Sequence, residues 1–411
     1  MLTSCIDSQD RFGFAEPYLD GFAQQLEQKG YTEGTVRRRV RAAAHFGFWI
    51  QRRKLPISEL TDSAIDLFGK HLPSCRCRTS GGGKRALAGA CLFLEHLRCS
   101  GVVPSASSTT GVQEEGSPLL KGFRHWMLLH RGVRPEAGTL DRYCVVLVAL
   151  LKALGQDPAR FDTLGLRQFV VERGRPYGRG CAQNIASAVR VFLRYLVATG
   201  QCAAALAGAI PPVANWRLSS LPRYLPSSDV DRLLSTCQVD TPVGLRDLAI
   251  LLLLCRLGLR AKDVVDLRIR DLDWEEGSLC VSGKGRRQER LPLPQDVGDA
   301  ILAYLERGRP ALDDDRLFLK ATAPRRPLVD SSAVSGIVRR AILRAKVTAP
   351  SHGAHLLRHS AATAMLRNGS TLQAIAWVLR HRSVETTAIY AKVDVGMLKD
   401  VAQPWPEVTP C

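Results

Sequence analysis

Apolar residues recur at three- and four-residue intervals through most of the chain, the spacing of helices that bury one face. In the first half the pattern comes twice. LDGFAQQLEQKGYTEGTVRRRV, from Leu19, lines up with LKGFRHWMLLHRGVRPEAGTLDRY, from Leu120. ELTDSAIDLFGKHL matches TLGLRQFVVER in apolar spacing, and GKRALAGACLFLEHLRCSG, from Gly83, matches AQNIASAVRVFLRYLVATG, from Ala182. Each copy predicts about four helices. Between the copies, VVPSASSTTGVQEEGSP is polar and rich in Ser, Thr and Gly, so it reads as a linker. A second linker runs through IPPVANWRLSSLPRYLP, where prolines deny a regular element.

Beyond that linker the pattern changes. SSDVDRLLSTC starts a helix, with Ser228 and Asp231 at the spacing of a capping box. GLRDLAILLLLCRLG predicts a largely buried helix, and AKDVVDLRIRDL a second one followed by a bend. SLCVSGKGRRQERLPLP predicts two short strands around a Gly-Lys-Gly turn, and helices take up the remainder. The expected fold class is therefore mainly α with a small β-sheet in the C-terminal domain (α+β). The expected divisions are a tail over 1–14, a helical domain over 15–101, a linker over 102–117, a second helical domain over 118–202, a linker over 203–224, a C-terminal domain over 225–392 and a final segment over 393–411.

A chain of 411 residues with 45% hydrophobic content has apolar material for several cores. The formal net charge of +18, carried mostly by arginine, points to a polyanionic partner, nucleic acid before membrane. The longest apolar run, LAILLLLC at 248–255, is too short to cross a bilayer, and MLTSCIDSQD has no signal-peptide pattern; a cytoplasmic location is expected, with no membrane partner. The 12 cysteines are scattered, and Cys91, Cys144, Cys255 and Cys280 fall in apolar runs where thiols are expected to pack as small hydrophobes in a reducing compartment. His71, Cys75, Cys77, His96 and Cys99 invite a zinc reading, but Cys-x-Cys spacing is a weak signal. His352, His355 and His359 invite another, with no water-activating carboxylate nearby. No metal and no cofactor is expected.

Six dispersed residues carry the chemistry. Arg260 lies in LGLRAKD, between two helices, and Lys284 in SGKG, at the hairpin tip. His355 and Arg358, in HLLRH, share one helix face at i and i+3. His381 lies in VLRHRS, just past a helix end, and Tyr390 in TTAIYAKV, where an exposed tyrosine is expected. A phosphodiester under attack needs this set. Two arginines clamp its non-bridging oxygens, histidines donate or move protons, a tyrosine forms a covalent phosphotyrosine, and a lysine on a turn protonates the leaving 5′-oxygen. Basic positions for phosphate contact recur in the helical half: Arg37, Arg38, Arg39 and Arg41 in TVRRRVRAAAHF, and Arg175 and Arg179 around Tyr177 in GRPYGRGCAQN.

Residues 225–392 resemble the catalytic domain of the tyrosine recombinases of the phage-integrase type. RDLAILLLLCRLGLRAKDVVDLRIRDLDW resembles the first arginine box, and HLLRHSAATAMLRNGSTLQAIAWVLRHRSVETTAIYAKV the second almost throughout. The resemblance implies that Arg260, Lys284, His355, Arg358 and His381 assist while Tyr390 attacks, leaving a 3′-phosphotyrosine, without metal or ATP. It places Asp263 where the family usually has a glutamate, as a partner of an active-site arginine or histidine, and His359 as a structural neighbour. Two departures stand out: Arg-Leu-Gly-Leu-Arg, with Arg256 ahead, where the family usually has Thr-Gly-Leu-Arg, and Arg380 in place of a glycine before His381. The copy at 118–200 resembles the family's core-binding domain, which closes on DNA with the catalytic domain, and the copy at 15–101 is an additional one.

Val393, Met397, Leu398 and Val401 are expected to form one short apolar face in the final segment, and the resemblance implies that this segment docks on the next protomer. The expected partners are duplex DNA and a homo-tetramer on paired sites, in one variant with other recombinases. The expected activity is site-specific recombination by a mobile element's integrase or transposase. Its rivals are type IB topoisomerase-like relaxation and a non-catalytic DNA-binding accessory role.

Overall fold

The computed structural model describes residues 13–57, 60–75, 83–104, 117–131, 138–210, 221–282, 288–381 and 383–393. It is mainly helical with one small antiparallel sheet, the α+β class expected. The described residues form two compact units: 13–104 with 221–393, and 117–210.

The first four helices are α1 (Glu16–Gln28), α2 (Glu33–Arg52), α3 (Asp62–His71) and α4 (Gly83–Cys99). The second unit repeats them as α5 (Pro118–Arg131), α6 (Gly138–Leu154), α7 (Thr163–Gly174) and α8 (Arg179–Ala198). Equivalent residues of the two copies do equivalent work. Phe22 meets Phe93 edge-on at 5.3 Å, and their counterparts Phe123 and Phe192 meet edge-on at 5.5 Å. His96 packs against Phe22 where Tyr195 packs against Phe123. Aromatic residues fix each bundle because each buries a large area and prefers this edge-to-face geometry.

The C-terminal segment contributes α9 (Ser227–Ser235), α10 (Pro242–Arg256), α11 (Ala261–Asp266), β1 (Leu272–Asp273), β2 (Ser278–Ser282), β3 (Gln288–Pro292), α12 (Gln295–Arg307), α13 (Ser331–Ala345), α14 (Ala354–Arg367) and α15 (Leu372–Val378). The central α10 is buried almost throughout, which its unbroken leucine run requires. It starts cleanly: Thr241 Oγ1 accepts from the Gly244 N–H at 3.0 Å, and Pro242 occupies the first turn. The sheet runs in the order β1-β2-β3, all antiparallel, with Ser282 opposite Gln288 at the hairpin's last described pair. The turn carrying Lys284 lies outside the described residues.

Four sequence expectations differ from the fold. The capping box of Ser228 and Asp231 does not form: α9 begins at Ser227 behind Pro226, so Ser228 already sits inside the first turn. AKDVVDLRIRDL is helical only over Ala261–Asp266, then passes through a 3₁₀ turn, Ile269–Asp271, into β1. Cys91 is exposed and Cys280 only half-buried, whereas Cys144 and Cys255 pack in cores. Ala90, Phe93 and Leu94 take the inward face of α4 and turn Cys91 outward. Tyr390, expected exposed, is 1% exposed. Among the described residues, no helix is long and apolar enough to cross a membrane.

Candidate active site

Arg260 is the residue from which α11 starts, after a left-handed turn at Gly258 (φ +57°). A side chain at 258 meets Leu379 Cδ2 at 2.6 Å, so glycine is required both by conformation and by space. The turn aims the Gly258 carbonyl at α14, where Arg358 lies wholly buried and donates to both Gly258 O and Leu379 O. Arg260, half-exposed, donates through Nη2 to Arg380 O at 3.1 Å. The two arginines thus meet at the loop after α15, Arg358 on the Leu379 carbonyl and Arg260 on that of Arg380.

Arg380 closes this cluster. It follows α15 with φ +54°, the left-handed conformation that favours glycine, and its carbonyl is the one Arg260 uses. Its side chain turns inward and donates to Asp263 Oδ2, a buried ion pair. Asp263 Oδ2 also accepts the Arg260 backbone N–H at 2.9 Å, while Arg260 Nη1 stays 4.0 Å away. Asp263 therefore serves Arg380 first, a partner the sequence left open. Three guanidiniums face one carboxylate here. Burial, then Arg260 and Arg380, pull the Arg358 pKa down to about 10. Such an excess of cations is relieved by an anion. The other departure, Arg256, turns away and pairs with Asp296 at 2.8 Å.

The histidines and the tyrosine complete the site. His355 and His359 stack edge-on at 4.8 Å on one face of α14. His359 Nδ1 lies 2.8 Å from Tyr390 Oη, so the residue expected to be structural touches the phenol. Their i, i+4 spacing along α14 was the available signal. His381 Nδ1 lies 2.8 Å from Thr387 Oγ1, which orients the ring. Burial, then His355 and Arg358, hold the His359 pKa at about 4; burial, then Arg358 and Arg260, hold His381 at about 4. His355 is lowered by desolvation, then by Arg358 and Arg260. Burial raises Tyr390 to about 12, with Arg358 opposing. Tyr390 sits in the 3₁₀ segment Ala388–Val393 over Ala362, Leu366, Ile375 and Leu379.

The fold thus gathers Arg260, His355, Arg358, His381 and Tyr390, with His359 against the phenol and Asp263 against the Arg260 N–H and Arg380. Of the residues expected to contact a phosphate backbone, Arg37, Arg38 and Arg41 are exposed on α2, with Arg37 paired to Glu33 and Arg38 donating to Thr35 at 3.0 Å. Arg39 donates to Arg85 O at 2.9 Å. In the other unit, Arg175, Tyr177 and Arg179 are exposed at the α7–α8 junction.

Residues 223–396 match the model of the phage integrase family. The Sinorhizobium fredii protein y4rA, named as an integrase/recombinase, is 36% identical over 394 residues, covering 95% of this chain and 94% of its own. The tyrosine recombinase XerD of Listeria monocytogenes serotype 4b is 31% identical, covering 69% of this chain and 96% of its own. The crystal structure of the XerH site-specific recombinase bound to palindromic difH substrate shares the fold, with a TM-score of 0.52 at 18% identity, covering 96% of this chain and 98% of that one. Both relatives are above 30% identity, and each is covered over more than nine-tenths of its own length. The chain belongs to the phage integrase family and is a tyrosine recombinase, an enzyme that cuts and rejoins DNA.

Proposed function

We propose that Tyr390 is the nucleophile and that a scissile phosphate of duplex DNA sits over Arg260 and Arg358. The observation that supports this is the cluster of three guanidiniums against the single Asp263 carboxylate, with Tyr390 Oη alongside. Arg260 and Arg358 exchange their carbonyl acceptors for the non-bridging oxygens and hold the charge that grows as the phosphorus becomes five-coordinate. His355 and His381 add N–H donors. A tyrosine with a pKa of about 12 needs its proton removed as it attacks, and His359 Nδ1, 2.8 Å away and neutral at pH 7, is the group within reach. The Tyr390 oxygen bonds to phosphorus, the 5′-oxygen leaves with a proton from Lys284, and a 3′-phosphotyrosine remains. A 5′-hydroxyl of the partner strand then reverses these steps. The phosphotyrosine keeps the energy of the original bond, so rejoining needs no ATP.

The activity we favour is integration or transposition of a mobile element. The relative named integrase/recombinase spans 95% of this chain, the first helical copy included, whereas XerD spans 69%. Arg37, Arg38 and Arg41, and Arg175 and Arg179, supply sequence-independent phosphate contacts. Four protomers act on two sites, and the 78%-exposed Trp377, beside the site, is apolar surface suited to a neighbouring protomer. The substrate sets a cytoplasmic location.

A duplex substrate nicked next to the cleavage point traps the covalent adduct. Wild type forms it and Tyr390→Phe does not; equal adduct from both proteins refutes the assignment. Relaxation of plasmids that lack any paired site would instead favour topoisomerase-like action.

A further inference from the structure

Outside the catalytic residues, the N-terminal bundle brings a second group of chemically active side chains together. His45 of α2 is wholly buried. One ring nitrogen, Nε2, lies 3.3 Å from Cys75 Sγ, and the other, Nδ1, is buried with no hydrogen-bond partner among the described residues. His71, the last residue of α3, brings its ring to 5.7 Å from that of His45, tilted by 59°. Cys75 follows directly on the 3₁₀ turn Leu72–Ser74. One donor atom from each residue lies within 4.8 Å of the other two.

We propose that His45, His71 and Cys75 bind a divalent transition metal, zinc in the first place. With bond lengths of about 2.0–2.1 Å to nitrogen and about 2.3 Å to sulfur, tetrahedral zinc holds N and S ligands about 3.5 Å apart. The His45–Cys75 separation of 3.3 Å already has that value. Closing the third ligand, no further than 4.8 Å from either, takes a shift of about 1 Å in a part-buried side chain. Two imidazoles and a thiol are the donors of zinc and its neighbours rather than of calcium or magnesium, which take oxygen. As a hydrogen-bonded core residue His45 is poorly served, with one nitrogen on a thiol and the other on no described residue.

The group differs from the one the sequence suggested. His96 Nδ1 is engaged by Gln25 Oε1 at 3.2 Å, with its ring against Phe22 and Phe93, and Cys99 is exposed. His45 enters because the fold lays the middle of α2 against the end of α3. A metal here ties α2, α3 and the following turn together, a structural role independent of strand cleavage.

The test uses the full chain, purified under reducing conditions and supplied with zinc. Wild type and Cys99→Ser are expected to hold about one zinc per chain after exhaustive desalting, and Cys75→Ser and His71→Ala at least tenfold less. Cobalt-loaded wild type is expected to show a sulfur-to-metal charge-transfer band that Cys75→Ser lacks. Should a variant not fold, X-ray absorption of the zinc-loaded wild type decides, with sulfur and imidazole both in the shell. Uptake below one-tenth of an equivalent, full retention in Cys75→Ser, or a shell lacking either sulfur or imidazole overturns the proposal.

Discussion

The Arg380–Asp263 pair is where this chain's departure from its family can be measured. Its side chains are 2% and 9% exposed; Arg380 Nη2 makes the pair, and its Nε and Nη1 are buried without a hydrogen-bond partner among the described residues. Asp263→Asn removes the carboxylate that, among the described residues, faces the three guanidiniums. Breaking one partner of a buried pair costs about 3–5 kcal/mol, because the remaining charge stays buried and uncompensated. In a unit of this size each kcal/mol lowers Tm by about 2–4 °C, so the loss is about 6–20 °C. Arg380→Gly acts differently. It removes the charge together with its need for Asp263 and relieves the left-handed backbone at φ +54°, a conformation that costs a non-glycine residue about 1–2 kcal/mol. It also keeps the carbonyl that Arg260 uses and leaves Asp263 its hydrogen bond from the Arg260 N–H. The double variant Asp263→Asn/Arg380→Gly should therefore be more stable than Asp263→Asn alone, with a coupling of about 2–3 kcal/mol. Calorimetric unfolding of the full chain, read on the transition that shifts in Asp263→Asn, gives the cycle. Additive shifts, or an Asp263→Asn loss under 2 °C by the same conversion, refute the reasoning.

Three further outcomes are expected. Arg358→Ala and Arg260→Ala each slow single-turnover cleavage of the nicked substrate by about 10²–10³-fold, the effect of losing one donor to the transition-state charge; a loss under tenfold counts against the clamp. His359 and His381 have native pKa values of about 4 against an ordinary 6.5, so the unfolded chain binds more protons between those values. Stability is fully present above pH 6.5 and falls as pH drops towards 4; a flat Tm over that window contradicts the burial of these rings. Ending the chain after Lys392 should leave cleavage of one nicked site intact and weaken assembly on paired sites in gel-shift titrations; unchanged assembly removes the final segment from the interface.

Much of the fold was legible in the chain because its period is local. The matched phenylalanines, Phe22 with Phe123 and Phe93 with Phe192, are aligned in the two sequence copies and form the same edge-on pair in both bundles. The Gly-Lys-Gly turn announced the hairpin of β2 and β3. Legible too was the order of Arg260, His355, Arg358, His381 and Tyr390, since motif residues keep their spacing on elements whose lengths are set locally. The α9 cap was misread because Pro226 already fixes the chain ahead of Ser227.

What tertiary structure decided is which side chains meet across long separations. Nothing local says that Arg380 reaches Asp263, 117 residues away, or that Arg358 reaches the Gly258 carbonyl, 100 residues away. The burial of Tyr390 follows from the pocket of α14 and α15 that receives it, not from the residues beside it in the chain. His45 looks like one more position on a helical face until α3 brings His71 and Cys75 to it. Periodicity fixes elements because backbone hydrogen bonds and side-chain faces are short-range; the electrostatics of a site depend on distance in space, which only packing sets.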